Sequence, residues 1–127
     1  MIDNRPSLLL IDDEPAFCEV FTRFMTDRYI VNCEHTGEKG ISRFRLEKPD
    51  VVLLDLELGA SPNGMEVLQQ LRAEDEMAVI IILTHTNSID TAIEATRAGA
   101  NYYCTKSDDL DGLHFRIMKE RNQKAAE

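Results

Sequence analysis

Three short runs along the chain carry no polar residue: Leu8-Leu9-Leu10-Ile11, Val51-Val52-Leu53-Leu54 and Val79-Ile80-Ile81-Ile82-Leu83. Unbroken apolar runs of this length predict strands buried on both faces, as in a parallel sheet covered by helices. Two more polar runs, Tyr-Ile-Val-Asn-Cys-Glu at 29–34 and Asn-Tyr-Tyr-Cys at 101–104, predict edge strands. The segments between carry helical spacing. Pro15 fits the first turn of a helix, and Phe17, Val20, Phe21 and Phe24 predict an aromatic stripe laid on the sheet. Ile41 and Phe44 mark a second helix that stops before Pro49. Asn63 with Glu66 predicts a capping pair for a third, whose apolar face is Met65, Leu68 and Leu71. Asn87 or Ser88 is expected to cap a fourth, with Ile89, Ala92, Ile93 and Thr96 inside and Gly99 as its left-handed end. Ser107 is expected to cap the fifth, with Asp108, Asp109 and Asp111 at its positive end and Leu110, Leu113, His114 and Ile117 inside.

Five strands alternating with five helices give an α/β fold: a doubly wound, five-stranded parallel sheet. The wholly apolar strands one, three and four belong at its centre, and strands two and five at its edges. The order 2-1-3-4-5, that of flavodoxin-like folds, meets this requirement and sets strands one and three side by side at the switch point. At 127 residues and 14.4 kDa, residues 1–127 are expected to form one domain. The net charge of -9 argues against nucleic acid or an anionic membrane as a direct partner. The longest apolar run, 78–83, is too short to cross a bilayer, and the polar start is no signal peptide. Cys18, Cys33 and Cys104 lack CxxC spacing and read as inert thiols filling a core in a reducing cytoplasm. A cytoplasmic protein is expected.

The candidate chemistry lies where the strands end. Strand one runs into Asp12-Asp13, strand three into Asp55, strand four into Thr84-His85-Thr86, and strand five towards Lys106. Each alone has an ordinary explanation as a cap, a turn hydroxyl or a surface charge. Together they would share the carboxyl edge of one sheet, where ligands of open α/β sheets bind. Two carboxylates about 4 Å apart repel by about 4 kcal/mol at an effective dielectric near 20. A Mg²⁺ ion relieves that conflict, and Lys106 supplies a fixed positive charge opposite. Metal, ammonium and hydroxyl suit a transferring phosphoryl group, with Asp55 as the nucleophile.

Leu-Ile-Asp12-Asp13-Glu-Pro, Val-Leu-Leu-Asp55, Thr84 and Tyr103-Cys-Thr-Lys106 resemble, in order and spacing, the receiver domains of two-component response regulators. The resemblance covers essentially the whole chain and implies a CheY-like fold. It implies that Asp55 takes a phosphoryl group from a histidine kinase or phosphotransfer protein. Asp13 and Asp55 would bind Mg²⁺ directly, Asp12 through water and Glu57 through its backbone carbonyl. Lys106 would pair with the phosphoryl group, and Thr84 would turn to it. Tyr103 would move inward, switching the face built from the fourth helix, fifth strand and fifth helix towards an effector or output domain. A homodimer through that face is one option. By the same resemblance the chain is no enzyme beyond its own phosphorylation and dephosphorylation. An aspartyl-phosphate hydrolase, hinted at by Asp55-Leu56-Glu57, is the less favoured reading.

The chain departs from the family pattern in places. Ser107 follows Lys106 where proline is usual, and a trans bond is expected there. His85 follows Thr84 where a small residue is usual. Gly59 stands where proline is common, and Asn63-Gly64 arrives about one residue late. Glu57, His85 and Thr86 occupy the positions that tune phosphate lifetime. His85 is expected to shield the acyl phosphate, and Glu57 to be free to turn into solvent.

Overall fold

The computed structural model describes residues 3–86, 88–106 and 109–126. β1 (Ser7–Ile11), β2 (Ile30–Glu34), β3 (Val51–Leu54), β4 (Ile80–Thr84) and β5 (Tyr102–Thr105) form one parallel sheet in the order β2-β1-β3-β4-β5. The helices are α1 (Pro15–Met25), α2 (Gly37–Glu47), α3 (Gly64–Glu74), α4 (Ile89–Arg97) and α5 (Leu110–Ala126). Register places Leu10 beside Leu53 and Ile11 beside Leu54, so β1 and β3 end level at the switch point.

Strand periodicity divides the core into two layers. Leu9, Ile11, Val52, Leu54, Ile80 and Ile82 face α2 and α3, meeting Ile41, Phe44, Val67, Leu68 and Leu71. Leu8, Leu10, Val51, Leu53, Ile81 and Leu83 face α1 and α5, meeting Cys18, Phe21, Met25, Leu113 and Ile117. Both faces are therefore covered, which is why these strands show no polar alternation.

Local chemistry sets the helix ends. Asn63 and Glu66 form the reciprocal capping box at α3. The Ser88 hydroxyl caps α4 by accepting from the Thr91 N–H. Gly99 follows α4 at φ 110°, in the left-handed region. The expected caps Asn87, Ser107 and Asp108, and the Lys106–Ser107 bond, lie outside the described residues.

Two helix faces differ from the sequence reading. The buried stripe of α1 is Cys18, Phe21 and Met25; Phe17 and Phe24 pack only at its margin, and Val20 is exposed. On α4, Ala95 is the buried contact, whereas Ile89 is 79% exposed and Ile93 45%. A small side chain lets α4 lie close to the sheet, and that turns both isoleucines outward. Smaller shifts affect the strands: Tyr29 precedes β2 as a buried side chain, β4 extends to Thr84, and β5 extends to Thr105.

Candidate functional site

Four of the five strands, β1, β3, β4 and β5, deliver groups to the carboxyl edge. Asp12, directly after β1, is fully buried, and its N–H donates to the Glu34 carbonyl at 3.0 Å. Its Oδ1 accepts from the Glu14 N–H at 2.9 Å, tying the carboxylate to the start of α1. Asp55, directly after β3, is 1% exposed, and its N–H donates to the Ile11 carbonyl at 2.9 Å. Its Oδ1 accepts from the Glu57 N–H at 2.8 Å. Asp13 is exposed at the rim. Carboxylate oxygens of Asp12, Asp13 and Asp55 all lie within 4.8 Å of one another.

Lys106 joins the cluster from β5, where its N–H donates to the Thr84 carbonyl at 2.8 Å. Its side chain is 3% exposed, and Nζ lies 2.5 Å from Glu14 Oε1, 2.7 Å from Asp12 Oδ2 and 3.1 Å from Asp55 Oδ2. The face of Phe17 lies 4.9 Å from the ammonium. Burial pushes the Lys106 ammonium down, but hydrogen bonds to Asp12, Glu14 and Asp55 outweigh that and raise its pKa. Burial raises the Asp55 carboxyl, with help from the Asp12 charge, while the Glu57 N–H and Lys106 oppose it.

Two further carboxylates complete the site, and sequence reasoning gave neither of them this part. Glu14 Oε1 meets both Lys106 and, at 2.6 Å, His85 Nε2. These two partners, Lys106 foremost, hold Glu14 below the usual carboxylate range. Glu57 Oε1 accepts from the Thr84 hydroxyl and, at 2.8 Å, from the His85 N–H. The Thr84 hydrogen bond leads the lowering of Glu57. Glu57 is exposed, yet its carboxylate is engaged by Thr84 and the His85 N–H rather than free. The signal for Glu14 was present in the acidic triplet Asp12-Asp13-Glu14, but only tertiary structure shows which way the third carboxylate turns.

The donors fit a hard divalent cation: oxygen ligands only, three carboxylates from two adjacent strand ends, and one rim member open to water. Asp12 Oδ2 supports this, being buried with the Lys106 ammonium at 2.7 Å as its partner. Thr84, Thr86 and Tyr103 form a connected edge. The Thr86 N–H donates to Thr84 Oγ1 at 3.3 Å, and the Tyr103 hydroxyl donates to the Thr86 carbonyl.

A family model described as the response regulator receiver domain matches residues 8–118, spanning both acidic strand ends, Thr84 and Lys106. The chain belongs to the response-regulator receiver family. Over 119 residues, 93% of this chain, it is 33% identical to the alginate biosynthesis transcriptional regulatory protein AlgB of Pseudomonas putida, of which it spans 26%. It is 32% identical over 125 residues to the acid tolerance regulatory protein ActR of Sinorhizobium medicae, spanning 98% of this chain and 64% of that protein. The receiver thus spans about a quarter of the first of these relatives and under two thirds of the second. Among solved structures, the signal receiver domain of a LuxO-type repressor from Vibrio parahaemolyticus superposes with a TM-score of 0.88 at 25% identity. That match covers 96% of this chain and 94% of the other. No helix among the described residues is long and apolar enough to cross a membrane.

Proposed function

We propose that Asp55 is the phosphoacceptor of this receiver, taking a phosphoryl group from a histidine kinase or phosphotransfer protein in the cytoplasm. The observation that carries the reading is the buried Asp55 carboxylate set between Asp12 and the Lys106 ammonium at the β1–β3 switch point. A phosphoryl acceptor needs a carboxylate whose charge is unsettled until cations gather round it, and Asp55 is placed so. Residues 1–127 are taken to act as one receiver domain, with Mg²⁺ as its cation.

Asp55 attacks phosphorus through a carboxylate oxygen, and the donor's bond to phosphorus breaks as the acyl phosphate forms. Asp12, Asp13 and Asp55, with the Glu57 carbonyl, would hold Mg²⁺, which supplies positive charge to the phosphoryl oxygens when bound. Lys106 exchanges its carboxylate partners for a phosphoryl oxygen, staying protonated throughout because its pKa is raised. The Thr84 hydroxyl, held by Glu57 at rest, must leave that carboxylate to donate to the new oxygen. As Thr84 turns, Thr86 and Tyr103 lose their present register, and the face of α4, β5 and α5 changes towards its effector or output domain. Glu14 and Glu57 thus stand in for the phosphoryl oxygens in the resting state. They satisfy Lys106 and Thr84 until a better anion arrives.

Incubation with acetyl phosphate and Mg²⁺ tests the reading. One phosphoryl group should add to the wild-type chain and none to Asp55→Asn. Undiminished uptake by Asp55→Asn would overturn the assignment.

A further inference from the structure

Two of the three thiols lie on neighbouring elements, α1 and β2, beside the acidic cluster. Cys18 is buried on the inner face of α1, and Cys33 is half-buried on the edge strand β2, packed against the core layer that holds Cys18. Thr22, one turn after Cys18 on α1, brings its hydroxyl within 3.3 Å of Cys33 Sγ. The neighbouring Cys33 raises the Cys18 pKa, and the neighbouring Cys18 lowers that of Cys33. Cys18 Sγ donates to the Asp12 carbonyl at 3.6 Å, and His35 Nδ1 reaches the same carbonyl at 2.9 Å and Cys18 Sγ at 3.8 Å. Contacts from Cys33 to Thr22, and from His35 to Cys18, therefore join β2 and its end to α1 and the backbone of Asp12. Phosphoryl transfer uses neither sulfur.

We propose that Cys18 and Cys33 form a reversible disulfide, driven by hydrogen peroxide, that clamps α1 to β2 and loosens the acidic cluster's hold on its cation. Cys33 is the member with solvent access, the trait of a peroxide-reactive thiol, and Cys18 is the buried resolving partner. The Cys33 sulfur attacks one peroxide oxygen, the O–O bond breaks, and the departing hydroxide leaves as water with the thiol proton. Cys18 then attacks the sulfenic sulfur, forming the S–S bond and expelling a second water. Two thiols lose two electrons, and one peroxide becomes two waters. A dithiol reductant reverses the change, as a reducing cytoplasm requires.

The link acts on the neighbouring site in two ways. Oxidised Cys18 has no proton to donate, so the Asp12 carbonyl loses that bond and keeps His35. Drawing Cys18 towards β2 also pulls the first turn of α1, and with it the 12–14 segment, away from β3 and Asp55, because β1 lies between β2 and β3. This second effect rests on the proposed phosphoacceptor site, whereas the disulfide itself does not.

The test treats the reduced full chain with hydrogen peroxide, alkylates the remaining thiols and maps the unreduced peptides by mass. The Cys18 and Cys33 peptides should be joined, Cys104 should be alkylated, and dithiothreitol should undo the link. Cys33→Ser and Cys33→Ala should both lack it. Alkylation of both Cys18 and Cys33 after peroxide, a link to Cys104, or Cys33 oxidised to sulfinic acid without a link would each overturn the proposal. In acetyl phosphate labelling, the half-saturating Mg²⁺ concentration should rise several-fold on oxidation in the wild type and stay put in Cys33→Ser. An unchanged value in linked protein would overturn the coupling to the cluster. No labelling of reduced protein would instead overturn the phosphoacceptor reading and leave the disulfide standing.

Discussion

At the scale of single residues, Asp55 carries a charge that its surroundings resist. Burial raises its pKa above 3.8, so the folded chain holds that proton more tightly than the unfolded one. The associated stability is present below pH 3.8 and is lost as pH rises through the raised value. At neutral pH, ionised Asp55 is therefore a cost to the metal-free fold. With a chelator present, Asp55→Asn should melt a few degrees above wild type at pH 7, with the gap closing towards pH 4. Added Mg²⁺ should close the gap from the other side, since it stabilises only a chain that binds it. Calorimetric melts across pH decide this, and a lower melting point for Asp55→Asn at pH 7 would contradict it. His85 is joined to Glu14, which also holds Lys106, so the imidazole is placed beside the site. Phosphate release from labelled protein should be several-fold faster in His85→Ala; equal or slower release would mean that the imidazole shields nothing. The strand-end groups Asp12, Asp55, Thr84 and Lys106 were readable from sequence because an apolar strand can end in only one place. The aim of Glu14 and Glu57 was not, because neighbours remote in sequence set the direction of a rim carboxylate.

At the scale of elements, close approach explains a glycine that carries no chemistry. A Cβ on Gly64 would meet Leu56 Cα at 2.2 Å and the Asp55 carbonyl at 2.5 Å, both backbone atoms. The start of α3 therefore abuts the turn that follows Asp55. Gly64→Ala should cost about 1–3 kcal/mol in denaturant unfolding and slow phosphoryl uptake, since the Asp55 turn must shift. Wild-type stability in that variant would show that the turn yields freely. The helix α4 shows where periodicity misleads. Ile89 and Ile93 share helical spacing with Ala92 and Thr96, yet the sheet takes Ala95 because a close approach selects the small side chain. Ile89→Ser should accordingly stay within about 0.5 kcal/mol of wild type. Ile80→Ala, in the fully buried β4, should cost about 2–5 kcal/mol. Comparable losses for the two would place α4 differently. The capping box of α3 was legible because both partners lie within one turn of sequence, whereas the packed face of α4 depends on distant strands.

At the scale of the whole molecule, a chain of net charge -9 gathers Asp12, Asp13, Glu14, Asp55 and Glu57 on one edge, with Lys106 tying three of them together. Such an edge stores repulsion that a cation relieves and that an incoming phosphoryl group must find already relieved. The sheet order was legible because wholly apolar runs must be central. That order alone brings the ends of β1 and β3 together, so fold and site stand on one inference. The central claim is that the acyl phosphate forms at Asp55 and nowhere else on this crowded edge. The direct measurement is to label the full chain with acetyl phosphate and Mg²⁺, reduce it with borohydride, and locate the converted residue by peptide mass. The account predicts homoserine at position 55; conversion at position 12 or 13, or at none, would contradict it.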